Sequence, residues 1–166
     1  KTIVFPLAHY WFALPVPAIL RVIRFDEGMA AEMARNGFVM LDGQPLSTVD
    51  LRSRLFADPT NPSPQLAQLP SASSSPEVSL ADATVPCLLT IQANRGKNWA
   101  LRVDHLPELL ELPLSCVHPI SSTAPPNIRA IAHHMAILSS QSSHYLAHRP
   151  IFLMDLTTIH PHSQVV

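Results

Sequence analysis

The sequence predicts an all-β protein, with a small β-barrel built twice over. Three observations carry this. Proline outnumbers glycine 17 to 4 in 166 residues, roughly twice the usual proline share of about 5%. Proline breaks helices and central strands, which excludes long helices, coiled coils and helical repeats. The apolar residues, 47% of the chain, fall in short runs of branched and aromatic side chains bounded by turn formers, as strands do. Finally, the halves echo each other. Trp11-Phe12-Ala13-Leu14-Pro15-Val16 resembles Trp99-Ala100-Leu101-Arg102-Val103, and Pro45-Leu46-Ser47-Thr48-Val49-Asp50-Leu51 resembles Pro150-Ile151-Phe152-Leu153-Met154-Asp155-Leu156. Closing each sheet on itself removes exposed strand edges.

The elements follow in order. Residues 3–20 are apolar enough to suggest a membrane helix or, with Lys1 ahead, a signal peptide. Pro6, Pro15 and Pro17 spoil the helix, and no persuasive cleavage site follows. Two strands, 2–7 and 11–16, joined by a tight turn near His9, account for the same residues. Further strands are expected at 19–24, 37–42, 46–50, 86–93, 98–103, 109–112, 128–138 and 150–155. Only 30–35 (A-A-E-M-A-R) and 51–56 (L-R-S-R-L-F) suggest helical turns. Between them and the later strands, 58–77 is a Pro/Ser-rich stretch that buries little apolar surface and reads as an extended loop. A second polar break occupies 121–127. The division expected is a first barrel half at 1–57, a loop at 58–82, a second half at 83–160 and a tail at 161–166. A chain beginning at Lys1 rather than methionine is compatible with a stretch upstream.

Several functions are excluded by composition. The glycines (Gly28, Gly37, Gly43, Gly96) match no dinucleotide fingerprint, P-loop or nucleophile elbow. A net charge of −1 and two lysines leave no concentrated basic face for nucleic acid. Cys87 and Cys116 sit among apolar neighbours without a C-x-x-C, pointing to small buried hydrophobes in a reducing, cytoplasmic compartment.

Nine histidines raise a metal site, with His144 and His148 at i, i+4, His160 and His162 flanking Pro161, and His133 beside His134. None has the helix or the accompanying carboxylates and thiolates that a site needs, so no metal and no cofactor is expected. Asp50, Asp104 and Asp155 each follow an apolar strand. Acids at a barrel mouth can divide acid and base roles. Their recurrence in both halves fits turn-starting caps better, and no enzyme activity is expected. Trp11 and Trp99 at matching positions read as core packing, with an aromatic contact surface as the alternative.

At this point the residues resemble a family, the CheW-like domain of bacterial chemotaxis signalling. Phe5-Pro6-Leu7 leading to Ala13-Leu14-Pro15-Val16 is similar to its opening strand pair, and Ile19-Leu20-Arg21-Val22 to its V-x-E-V segment. Its G-x-x-N-L-R-G-x-x-x-P-V-V-D-L resembles Gly37-Phe38-Val39-Met40-Leu41-Asp42-Gly43 followed by Ser47-Thr48-Val49-Asp50-Leu51. Its G-L-x-V-D-x-V resembles Ala100-Leu101-Arg102-Val103-Asp104-His105-Leu106, and its closing strand resembles Leu153-Met154-Asp155-Leu156. The resemblance implies two five-stranded barrels packed together and a non-enzymatic adaptor. Its implied partners are the regulatory domain of a CheA-type histidine kinase and the cytoplasmic tip of chemoreceptors, with no membrane insertion.

Four positions depart from the pattern. Arg21 replaces a Glu, Asp42 an Arg, Met40 an Asn and Ser47 a Pro. The first two exchanges are opposite in sign. They are either an ion pair with its signs swapped, which keeps its Coulomb attraction, or two unrelated solvent-facing substitutions. The family's motif, carried to these positions, puts partner contact on the strand around 37–43. There Val39, Leu41 and Gly43 would give apolar contact and close approach, while Arg21 and Asp42 would set charge complementarity. The alternative is a divergent domain that kept the barrels, lost kinase coupling, and binds another protein or a small ligand.

Overall fold

Strands β1 (Thr2–Leu7) and β2 (Tyr10–Pro15) form the hairpin expected around His9. The structure, a computed structural model, describes residues 1–56, 85–92, 98–139, 146 and 148–159. Leu7 pairs with Tyr10, so the turn is two residues long, with Ala8 at a positive φ of 53°. Pro15 and Pro17 then set a 3-10 turn over Val16–Ala18. The prolines that rule out a membrane helix thus build the corner leading into β3 (Ile19–Arg24).

The helical turn expected at 30–35 is a ten-residue helix, α1 (Glu27–Asn36). Its start lies in Asp26, whose carboxylate accepts the Met29 N–H at 2.8 Å, and its end in Gly37, left-handed at φ 72°. Gly37 therefore caps a helix rather than opening a strand. Strands β4 (Phe38–Leu41) and β5 (Gln44–Asp50) join through Asp42-Gly43, both at positive φ (49° and 77°), as a type I′ Asp-Gly hairpin requires. The short helix α2 (Leu51–Phe56) stands where expected. It is followed by β6 (Cys87–Ile91), β7 (Trp99–Val103) and β8 (Glu108–Leu110).

Two later expectations need correction. Residues 117–119 form a strand, β9 (Val117–Pro119), reached through a 3-10 turn at Leu114–Cys116. The strand expected from 128 begins only at 132. Pro126 starts a helical turn, α3 (Pro126–Arg129), before β10 (Ala132–Ile137), because proline at the first turn lacks only an N–H that would go unbonded there. Strand β11 (Pro150–Met154) completes the set. The Pro/Ser-rich loop and the terminal tail lie outside the described residues.

The strands make two curled sheets, β8-β1-β2-β11-β10-β9 and β3-β6-β7-β5-β4. The expected halves do not each fold into one of them. The strands of the second sheet all fall between residues 19 and 103, and the first sheet takes β1 and β2 from before them and β8–β11 from after them. Each sheet has a parallel pair at its centre, β2 with β11 and β5 with β7, which only a long crossover can join. Strand β6, buried at every residue, pairs antiparallel with β3, so the five-stranded sheet needs strands from both sides of the loop.

Three apolar clusters fill the molecule. The largest lies between the sheets, with Phe5, Phe12 and Phe152 from one, Leu89, Leu101 and Val103 from the other, and Leu51, Leu55, Ile128 and Ile131 from the helical turns. A second sits inside the six-stranded sheet (Val4, Ala13, Leu138, Ile151) and a third inside the five-stranded one (Phe25, Val39, Leu46, Leu88, Ala100). Facing corrects the tryptophan match. Trp99 is buried in the shared core, whereas Trp11 is half-buried with Leu110, Leu112 and Cys116 inside the six-stranded barrel. Period-two alternation makes Phe12 rather than Trp11 the shared-core residue of β2.

Candidate functional site

The two barrels close differently. In the six-stranded sheet the edge strands β8 and β9 are consecutive, so the segment 108–119 pairs with β1 at one end and with β10 at the other. In the five-stranded sheet the edges are β3 and β4, and no backbone ladder joins them. Across this seam the Arg21 Nη1 donates to the Asp42 Oδ2 at 2.9 Å. The opposite-sign exchange read from the sequence is therefore a real ion pair, joining the two edges of an open barrel. Both side chains are more than half exposed (56% and 71%). Such a pair contributes only about 0–1 kcal/mol to folding.

Of the other residues expected at the contact surface, Leu41 is half-buried at the seam, packing against the cluster inside this barrel. Val39 is corrected. At 1% exposure it is core, because Val39 and Leu41 share the inward face of β4 and Met40 faces outward at 43%. Gly43 is also corrected in its reason. A Cβ there would meet nothing within 4 Å, so glycine serves the positive φ of the turn, not close approach.

Sequence reasoning missed several residues that complete the site. Leu20 and Val22 on β3 are 49% and 39% exposed, giving the seam an apolar flank. From α1, the Glu32 carboxylate accepts the Met40 N–H at 3.0 Å. That backbone donor points away from β5, since Met40 lies opposite Pro45, and Glu32 thereby blocks the open edge of β4. Below the ion pair a groove of about 450 Å³ is lined by Leu20, Leu41, Pro45, Leu46 and Thr90, among others. Thr90 is 5% exposed, and its hydroxyl has no hydrogen-bond partner among the described residues. The legible signal for it was a lone threonine inside the apolar run C-L-L-T-I.

The aspartates divide. Asp50 accepts the N–H groups of Arg52 (3.0 Å) and Ser53 (3.3 Å) and the Ser53 hydroxyl (2.9 Å), starting α2. Asp155 accepts the Thr157 N–H (2.8 Å) and hydroxyl (2.6 Å) and faces the His133 Nδ1 at 3.2 Å. The Thr157 bonds, with a smaller contribution from His133, hold its carboxyl below the usual carboxylate range. Both are the turn-starting caps expected. Asp104 is not: it sits between Arg52 (3.3 Å) and Arg102 (3.8 Å) in a groove that also includes His105. Among the described residues lining that groove it is the only carboxylate.

Among the described residues no three His, Cys, Asp or Glu side chains converge as metal ligands. His144, His160 and His162 lie outside the described residues. Cys87 is buried in the shared core, where desolvation pushes its thiol up despite the opposing charge of Arg24, and Cys116 is half-buried. No described helix is long and apolar enough to cross a membrane.

The model of the CheW-like domain matches residues 1–139. The chain belongs to the CheW-like domain family. Membership at this level is membership in a family of chemotaxis scaffolds. The family match ends before β11, but β11 completes the six-stranded sheet against β2. Among solved structures, the chain is similar to the scaffolding protein TtCheW from Thermoanaerobacter tengcongensis. The similarity has a TM-score of 0.57 at 15% identity and covers 94% of this chain and 88% of that one. At that identity it shows the shared CheW fold of two packed barrels. No curated protein matches the sequence.

Proposed function

We propose that this protein is a cytoplasmic, non-enzymatic adaptor that couples the regulatory domain of a CheA-type histidine kinase to the cytoplasmic tip of chemoreceptors. The observation that carries the reading is the β3/β4 seam. An exposed ion pair lies there beside exposed Leu20, Val22 and Met40, in a chain of the CheW-like family. Exposed apolar side chains next to oriented charges suit a protein interface, where apolar anchors supply affinity and charges select the partner. Arg21, Leu41 and Asp42 are the contact residues in this reading, with Gly43 shaping the turn that presents Asp42.

Signs matter for the partner. Arg21 and Asp42 reverse the family's charges, so a partner matched to the usual signs would be repelled. The cognate kinase domain therefore carries compensating charges opposite them.

An adaptor must bridge. A receptor-tip fragment and the kinase should sediment together only when this chain is added, and Leu41→Arg should abolish the bridge while the variant stays folded. Co-sedimentation unchanged by Leu41→Arg would move the interface elsewhere. No bridging by the wild-type chain would favour a divergent barrel with another partner.

A further inference from the structure

The groove around Asp104 contains an arginine whose donors are unused. It lies at the opposite end of β7 from the seam: the seam groove includes Asn98, just before the strand, and this one includes Arg102, Asp104 and His105. Its volume is about 410 Å³, and in it Pro6 and Ala8 of the β1–β2 hairpin meet Arg52 of α2 and Pro86 ahead of β6. Alternation sends Leu101 and Val103 into the shared core and leaves Arg102 on the face of Ala100, inside the five-stranded barrel. There the Arg102 guanidinium lies 5.0 Å from the centre of the Phe25 ring, which holds it in place. Among the described residues it makes no hydrogen bond. Its Nε is buried and unpaired, and its Nη2 stands 3.8 Å from the Asp104 Oδ1, beyond hydrogen-bond distance. The other Asp104 oxygen accepts from the Arg52 Nη1 at 3.3 Å. Asp50, level with Arg102 on β5, turns its carboxylate to the N–H groups of Arg52 and Ser53 instead. Two guanidiniums thus face one carboxylate in the groove, and one positive charge is left unbalanced.

We propose that this groove is a binding site for a carboxylate group, received by the Arg102 guanidinium together with the free donors of Arg52. A guanidinium fork matches a planar carboxylate with two parallel hydrogen bonds. The charge balance selects the ligand: a single negative charge completes the set, whereas a phosphate group, with nearly two, leaves an excess beside Asp104. The carboxylate is that of a free small acid or of an acidic side chain on a bound protein, and the test separates these sources. Because the seam lies at the other end of β7, the site does not depend on kinase docking there.

The test titrates the whole chain at neutral pH with propionate, propionamide and inorganic phosphate, read by NMR at the arginine Nε–H signals. Propionate should shift the Arg102 signal saturably and bind about ten-fold more tightly than propionamide, its uncharged counterpart. Phosphate should bind more weakly than propionate. Arg102→Lys keeps the charge and loses the fork, so propionate, read at Arg52, should weaken about ten-fold. Arg52→Gln alters an exposed side chain, leaves the fold intact, and should weaken propionate about three-fold. Asp104→Asn should do the opposite. It removes the competing charge, so propionate tightens and phosphate overtakes it, a reversal that a purely structural Asp104 would not give. Glutamate blocked at both backbone ends identifies the source: binding like that of propionate assigns the site to a protein side chain, and its exclusion while propionate binds assigns it to a free acid. An unmoved Arg102 signal, wild-type binding of propionamide or phosphate as tight as that of propionate, or propionate weakened by Asp104→Asn would each overturn the proposal.

Discussion

At the residue scale, the docking role proposed for the Arg21–Asp42 pair is separable from its contribution to stability. Its exposure limits its folding contribution to about 0–1 kcal/mol. Arg21→Glu combined with Asp42→Arg should therefore unfold in urea within about 1 kcal/mol of the wild type. The same double variant should lose most of its affinity for the cognate kinase domain, since the partner now meets reversed signs. A double variant that binds like the wild type would show that these charges are not read. Asp155 supports a pH prediction. A carboxyl held below its ordinary value of 3.8 stabilises the fold above that value, and the contribution disappears as pH falls through the lowered one. Asp155→Asn should remove this acid-side loss, flattening stability against pH below about 4. The ion pair was legible in the sequence because two departures from one pattern were opposite in sign. The burial of Val39 was not. It depends on which face of β4 points inward, and Phe38-Val39-Met40-Leu41 is apolar on both faces, so its alternation does not mark one.

At the scale of elements, α1 does more than its sequence pattern suggested. Capped by Asp26 and ended by Gly37, it packs Met29, Ala30 and Met33 against the cluster inside the five-stranded barrel. Asp26→Ala should cost about 1 kcal/mol, measured by urea unfolding. Glu32→Ala should release the Met40 N–H and open the β4 edge to other strands. The expected result is concentration-dependent self-association in sedimentation, absent from the wild type under the same conditions. Strand positions were mostly legible, since β1, β3 and β6 show their apolar runs directly. The three-residue β9 was not, because V-H-P carries no periodicity. Residues 128–131 read as strand because branched isoleucines lead straight into the apolar run of β10, whereas the i, i+3 spacing of Ile128 and Ile131, both buried, and Pro126 belong to a helical turn.

For the whole molecule, the central fact is the core shared between the sheets. Phe12, Phe152, Leu89 and Leu101 meet there with Trp99, and Phe12 and Phe152 pack at 6.0 Å between ring centroids. A core drawn from both barrels couples their unfolding. Trp99→Phe and Trp11→Phe each leave one tryptophan as reporter of one side, and the two should report a single coincident transition. Leu101→Ala should lower stability by about 2–5 kcal/mol, as for a fully buried leucine. The two-barrel fold was legible through family resemblance and repetition, but the division of the chain was not. Sheet membership follows from the parallel pairs β2–β11 and β5–β7, and pairing between segments so far apart leaves no local mark in sequence.

The proposed function places a kinase domain on the seam of the five-stranded barrel. The most direct measurement is a calorimetric titration of this chain with the regulatory domain of the CheA-type kinase from the same organism. The predicted result is saturable one-to-one binding that Leu41→Arg abolishes. No heat of binding from a folded wild-type chain would contradict the claim.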